Sequence, residues 1–217
     1  MARPRVHQHV NPLAKYFREL PVESLDFSAV FAVPDLPLHV DLGCGRGRFL
    51  LEMATQLPQW NHLGIEIREP LVEDANKKAV EADLKNIHYV FCNAPLHLGK
   101  LLDNAAANIA KLVTIQFPDP WFKKRHAKRR MVNEELVRLV SGILADDGRV
   151  FIQTDVLELF EEMTELFIAE GFETESLREN FLPVRTEREI SVENRSLPVY
   201  RALFSKKLNK NGPGQAR

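Results

Sequence analysis

The chain is expected to fold as an α/β protein with a doubly wound, seven-stranded sheet, mostly parallel and carrying an antiparallel hairpin at its C-terminal end. Two observations give this reading. From Leu38 to Glu170, short apolar runs alternate with amphipathic stretches of helical period. The last two apolar runs, Phe172 to Leu177 and Val199 to Phe204, have little helical pattern between them. Alternation of strand and helix builds parallel strands joined by right-handed crossovers, whereas two successive strands without a crossover helix pair antiparallel.

Each element has its own signal. After a basic, polar arm, Val10 to Leu20 reads as a short amphipathic helix. Leu38-His39-Val40-Asp41-Leu42 is a buried strand, ended by glycines that lead into a helix from Arg48 to Gln56. His62 to Ile67 is the second strand. Pro70 then opens a helix to Asp83 with Leu71, Val72, Ala75 and Ala79 on one side. Ile87 to Phe91 is the third strand, followed by a helical stretch from Leu96 to Leu102, and Leu112 to Phe117 is the fourth. Asn133 caps or opens a helix through Leu144, and Asp147-Gly148 turns the chain into the fifth strand, Arg149 to Thr154. Leu157 to Glu170 is a helix stopped at Gly171, and a polar loop joins the two late strands. The expected organisation is an arm and short helix over 1–20, one α/β domain over 21–205, and a basic tail over 206–217 that ends in disorder.

Composition narrows the class. With 217 residues, 45% of them hydrophobic, the chain can bury one substantial core. No apolar run approaches a membrane span, and Met1 to Arg5 opens without the apolar stretch of a signal peptide. Cys44 and Cys92 form no disulfide framework and lack zinc spacing, so reduced thiols in a cytoplasmic protein are expected. The seven histidines are scattered, none paired at helical spacing, and no metal is expected. Net charge is −1, which by itself gives no hint of nucleic acid. Its distribution does: residues 123–130 hold six Lys/Arg and no acid, and a second basic cluster runs from Lys206 to Arg217. A solvated face is the ordinary explanation of such a run. Its position directly after a candidate catalytic loop favours a phosphate-binding surface instead.

Three strand ends carry cofactor chemistry. Asp41-Leu42-Gly43-Cys44-Gly45-Arg46-Gly47 lets the backbone turn tightly and aims the next helix N-terminus at a ligand. The spacing lacks the sixth-position glycine of the dinucleotide fingerprint, which argues against NAD. Glu66, ending the second strand, can accept from both hydroxyls of a ribose. Asn93, after the third, can donate to and accept from an adenine edge, with Ala94 leaving room for the ring. Alone, each of these is equally a cap or a turn residue. Cys44 and Cys92, without a histidine nearby in sequence to activate them, are fillers.

The most informative stretch is Phe117-Pro118-Asp119-Pro120-Trp121-Phe122-Lys123-Lys124-Arg125-His126-Ala127-Lys128-Arg129-Arg130. Two prolines stop the strand and hold Asp119 stiffly beside an aromatic, with a cationic run following at once. This block resembles the signature of the tRNA (guanine-N7)-methyltransferase family, and the likeness extends from about residue 3 to Phe204. The resemblance implies a class I, Rossmann-like methyltransferase sheet. It also implies S-adenosylmethionine as cofactor, bound by Asp41, Gly43, Gly45, Glu66, Asn93, Ala94 and Asp119. Transfer of its methyl group to N7 of a variable-loop guanosine in tRNA is the implied reaction. Asp119 is the implied catalytic residue, and Lys123, Asp155, Thr186 and Glu189 the implied holders of the guanosine. Arg5, Lys124, Arg125, Lys128, Arg129 and Arg130 are expected at the RNA backbone, and Arg5 with His9 to touch RNA or to order as it binds. Three departures stand out: Asp41 where glutamate is common, Phe122 for a frequent proline, and Arg188 where an aromatic is frequent. A methyltransferase for another substrate would leave the cationic block unexplained. A non-catalytic RNA-binding subunit would be expected to have lost Glu66 or Asp119. Monomer and homodimer both remain open.

Overall fold

The computed structural model describes residues 10–105 and 108–207, so Arg5, His9 and residues 208–217 lie outside the described residues. Seven strands form one sheet: β1 (Leu38–Leu42), β2 (Asn61–Glu66), β3 (Ile87–Phe91), β4 (Ala110–Gln116), β5 (Leu144–Thr154), β6 (Phe172–Leu177) and β7 (Tyr200–Lys206). Their order is β3-β2-β1-β4-β5-β7-β6, with β7 antiparallel to both β5 and β6 and the other pairs parallel. This is the expected sheet with its antiparallel C-terminal pair. The order reverses between β1 and β4, so the carboxyl ends of those two strands open onto the crevice where such sheets bind ligands.

Helices α1 (Lys15–Glu19) and α2 (Phe27–Val30) precede the sheet; α3 (Arg48–Gln56), α4 (Glu69–Glu81), α5 (Ala94–Leu101), α6 (Glu134–Ile143), α7 (Leu157–Ala169) and α8 (Glu187–Glu193) follow in turn. One core packs Leu98, Leu136, Val140, Met163 and Phe167 against Val40, Leu42, Val113, Ile115 and Ile152. The other packs Phe49, Leu50, Met53, Val72 and Ala75 against Leu112, Phe151 and Tyr89. Side chains alternate across a strand, so Val40 and Leu42 serve one layer while His39 and Asp41 face the other.

Four elements differ from expectation. The N-terminal helix covers only Lys15–Glu19, because Pro21 forces Leu20 into an extended conformation and Pro12 limits the start. Asp147-Gly148 does not precede β5 but bulges within it, since Ala110 pairs with Leu144 and Leu112 already with Arg149. The polar loop between the late strands contains α8, capped by Thr186, whose Oγ1 accepts from Glu189 N–H at 3.1 Å. Lys206, assigned to the tail, ends β7 and donates to the Leu144 carbonyl at 2.6 Å.

Candidate active site

Gly43, Gly45 and Gly47 all have positive φ, the conformation that favours glycine. At Gly47 the need is also steric, because a Cβ would sit 2.7 Å from the Tyr89 ring, whose hydroxyl donates to the Gly47 carbonyl at 2.6 Å. The turn so formed delivers Gly45 N–H to Glu66 Oε2 at 2.9 Å. Glu66 is buried and also accepts from Arg68, through the backbone N–H at 3.1 Å, Nε at 2.8 Å and Nη2 at 3.1 Å. Arg68 was not singled out from the sequence; its place two residues beyond a strand-end acid was the available signal. A ribose reaching Glu66 would take the place of the arginine.

Asn93 is buried, and its side chain does not cap α5. Its Nδ2 donates instead to the Pro12 carbonyl at 2.9 Å, while its backbone N–H is held by His97 Nδ1 at 3.1 Å. The segment around Pro12 therefore lies over the third strand end, beside Ala94.

Strand register places a polar stripe on the α3–α4 side of the sheet. His62 pairs with His39, Asp41 with Thr114, Gln116 with Gln153, and Gln153 with Arg201. Thr114 Oγ1 donates to Asp41 Oδ1 at 2.6 Å, so its oxygen accepts from His39 Nε2 at 2.9 Å; His39 Nδ1 lies 3.2 Å from His62 Nδ1, and His62 Nε2 faces the Leu57 carbonyl at 3.4 Å. Burial holds both imidazoles below their ordinary range, His62 at about 4. The two histidines, read as scattered, meet because adjacent strands and not helical turns bring them together. Among the described residues no three of His, Cys, Asp and Glu converge as a metal would require. Burial pushes the Asp41 carboxyl up to about 6; Thr114 and Gln116 pull the other way, and the Glu66 charge adds to the rise. Burial likewise pushes the Cys44 thiol up, and that of Cys92 to about 12, as suits inert fillers.

The loop after β4 is bracketed by two non-glycine residues of positive φ, Phe117 at 48° and Trp121 at 43°. Each such residue costs about 1–3 kcal/mol unless its surroundings hold it. They do here. Phe117 N–H donates to the Gln153 carbonyl at 2.7 Å, and the Trp121 ring meets His126 edge to face and carries the Arg129 guanidinium over it at 4.9 Å. Asp119 is exposed at the tip and helps to hold the Arg68 cation. The basic run winds into a 3-10 helix, Lys124–Arg129, with Lys123, Lys124, Arg125 and Lys128 outward.

Arg130 departs from the expectation of an RNA contact. It is buried, donates through Nε to the Pro120 carbonyl at 2.9 Å, and pairs with Glu162 and Glu158. An arginine with this many partners ties down the Phe117–Trp121 loop and offers no free face to phosphate. Arg129 is partly engaged in the same way, by Trp121.

Across the crevice, Asp155 pairs with Arg188 and Glu187 with Arg48, which ties α8 to α3. Glu189 is fully buried. Its carboxylate receives Arg201 Nη2 at 2.8 Å, Gln153 Nε2 at 3.0 Å and Asn180 Nδ2 at 2.9 Å. Thr-x-x-Glu is thus a helix start whose acid points inward, and only Thr186 of the pair reaches the crevice.

Two adjoining clefts result. The smaller is bounded by Gly43, Glu66, Asn93, Ala94, Phe117 and Asp119. The larger, about 870 Å³, is bounded by Asp41, Gly45, Asp119, Lys123, Asp155 and Thr186. Its size lies within the roughly 300–1,000 Å³ of small-molecule sites.

Sheet order, glycine turn and strand-end acids together define a Rossmann-like methyltransferase. A family model described as "Putative methyltransferase" matches residues 35–202. A tRNA (guanine-N(7)-)-methyltransferase of Synechococcus elongatus is 55% identical over 208 residues, 94% of this chain and 97% of its own. One of the same name from Trichormus variabilis is 50% identical over 93% of this chain and 96% of its own. The chain therefore belongs to the tRNA (guanine-N7)-methyltransferase family. Solved structures share the fold at low identity. An antibiotic-related methyltransferase matches with TM-score 0.58 at 18% identity, over 82% of this chain and 89% of its own. A 30S ribosomal A1408 methyltransferase from an uncultured bacterium matches with TM-score 0.54 at 18% identity, over 85% and 98%.

Proposed function

We propose that the protein transfers a methyl group from S-adenosylmethionine to N7 of a variable-loop guanosine in tRNA. The observation that carries this is the position of the Phe117–Trp121 loop, which borders both clefts and continues into an outward-facing cationic helix. The cofactor would span the two clefts, with Glu66 for the ribose and Asn93 with Ala94 for the adenine on the smaller side, and Asp41 on the larger. Asp41 would receive the ammonium of its amino-acid portion, as a buried acid with too little compensation of its own. S-adenosylmethionine bound there supplies an electrophilic methyl group on a sulfonium.

Guanine N7 carries an in-plane lone pair and attacks without prior deprotonation, so alignment and electrostatics carry the reaction. Asp119 holds the base and offsets the positive charge that grows on the purine. Asp155 accepts from the N1–H and exocyclic amine that guanine alone offers together, displacing Arg188. Thr186 forms the far wall, and Glu189 supports that wall from behind by anchoring α8. Lys123 binds phosphate or an acceptor on the base. Nucleoside mass analysis of an unmodified tRNA transcript, after incubation with protein and cofactor, is expected to show 7-methylguanosine. Methylation of any other nucleoside in its place would overturn the reading.

The pH dependence of cofactor binding follows from Asp41. An ammonium pairs with the ionised acid, and Asp41 keeps its proton below about pH 6. Affinity is therefore expected to be full above that value and to fall, by at most about tenfold per unit, as pH drops below it. Calorimetry across this range checks it.

The outward lysines and arginine give a second expectation. Lys124, Arg125 and Lys128 are exposed on the 3-10 helix and would meet the phosphate backbone, with Arg129 at its inner edge. Replacing Lys124 and Lys128 together with alanine should weaken tRNA binding and flatten its salt dependence by about two units or less. Cofactor affinity should not change. Unaltered affinity and slope would make the helix a solvated surface.

A further inference from the structure

We propose that Gln116 is a positioning residue that keeps Asp41 a charged acceptor for the cofactor's amino group. Its amide is oriented for this by the buried Arg201–Glu189 pair, acting through Gln153. The inference rests on the reading of Asp41 given above.

The orientation of each amide follows from its neighbours. Arg201 Nε is only a donor and lies 3.1 Å from Gln153 Oε1, so the oxygen of Gln153 must face it. The nitrogen of Gln153 then faces two acceptors, Glu189 Oε2 at 3.0 Å and Gln116 Oε1 at 2.7 Å. Gln116 must therefore present its oxygen to Gln153, which turns its Nε2 the other way. That nitrogen is buried and has no hydrogen-bond partner among the described residues. On the sheet face it lies two residues beyond Thr114, the partner of Asp41 across the β1–β4 pair, and Asp41 and Gln116 border the same cleft.

A buried donor of this kind favours the ionised form of an acid beside it. Consistently, Gln116 lowers the proton affinity of Asp41, against the larger effect of burial. The other groups facing Asp41 cannot substitute. Cys44 and Tyr89 are pushed toward their neutral forms, Glu66 opposes the charge, and Arg68 is committed to Glu66. His39 reaches Asp41 only through Thr114 and is held neutral. Thr114 thus supplies a fixed hydrogen bond to Asp41, and the buried Gln116 amide nitrogen is the second donor on the same sheet face. Glu189 takes part at the far end of the chain, as the anion that fixes Gln153.

The test is cofactor affinity by calorimetry from about pH 5 to about pH 8 for wild type, Gln116→Leu and Asp41→Asn. Wild type should show a fall in affinity on the acid side, and Asp41→Asn should lose that pH dependence. In Gln116→Leu the fall should begin about one unit higher, giving about fivefold weaker binding near pH 6, approaching tenfold toward pH 5, and nearly equal binding near pH 8. Gln116→Met keeps the length without a donor and should behave alike, which covers the event that leucine packs poorly. An unmoved pH profile, or a loss equal at all pH values, would overturn the proposal by leaving Gln116 a packing role. A wild-type profile without any fall would instead remove Asp41 from the ammonium, and the proposal with it.

Discussion

Asp119→Asn is expected to lower turnover on the order of a hundredfold, with cofactor affinity within about twofold of wild type. The amide keeps the size of the side chain and part of its hydrogen bonding. It loses the charge that offsets a cation forming on the purine. The loop itself should persist, because the backbone hydrogen bond of Phe117 to Gln153, the Arg130 contact to Pro120 and the stacking of Arg129 on Trp121 do not involve the carboxylate. Single-turnover rates at saturating cofactor separate the two effects. A rate near wild type would mean that Asp119 only shapes the loop.

Glu66→Ala is expected to raise the cofactor dissociation constant by roughly one to two orders of magnitude. Hydrogen bonds to a charged group contribute about 1.5–3 kcal/mol each, and about 1.4 kcal/mol is a factor of ten. The buried carboxylate gathers Gly45 N–H and three donors of Arg68, so its loss also releases the glycine turn and leaves Arg68 without its partner. Release of the turn acts in the same direction as the lost ribose contact, whereas the Arg68 pair, which the ribose breaks in any case, adds nothing to the loss. The fold should survive, since the sheet pairing of β2 is made by backbone groups and its apolar side chains remain. Unchanged binding by calorimetry would remove Glu66 from the site.

Much of this was legible in the residues. Strands such as Leu38–Leu42 and Ile87–Phe91 are short apolar runs between clear stops, and the strand-end positions of Asp41, Glu66, Asn93 and Asp119 follow once the strands are placed. What escaped depends on partners distant in sequence. Glu189 reads as a surface acid until Arg201 and Gln153 are brought against it by the pairing of β5 and β7. Arg130 reads as one of six cations until Glu162, on another helix, claims it. The Thr186–Glu189 spacing carries a local signal of its own, since Thr-x-x-Glu is also a helix N-terminus. The alternation in Leu38-His39-Val40-Asp41-Leu42 likewise showed two polar residues on one strand face, though not the strands that would satisfy them.

The most direct test of the central claim is to map the modified base. A tRNA transcript incubated with protein and S-adenosylmethionine can be reduced with borohydride and cleaved with aniline, which cuts the chain at 7-methylguanosine. Expected is a single cut, in the variable loop, that appears about a hundredfold more slowly with Asp119→Asn and is absent when the guanosine there is replaced by 7-deazaguanosine. A cut outside the variable loop, or cleavage that persists in the 7-deaza transcript, would contradict it.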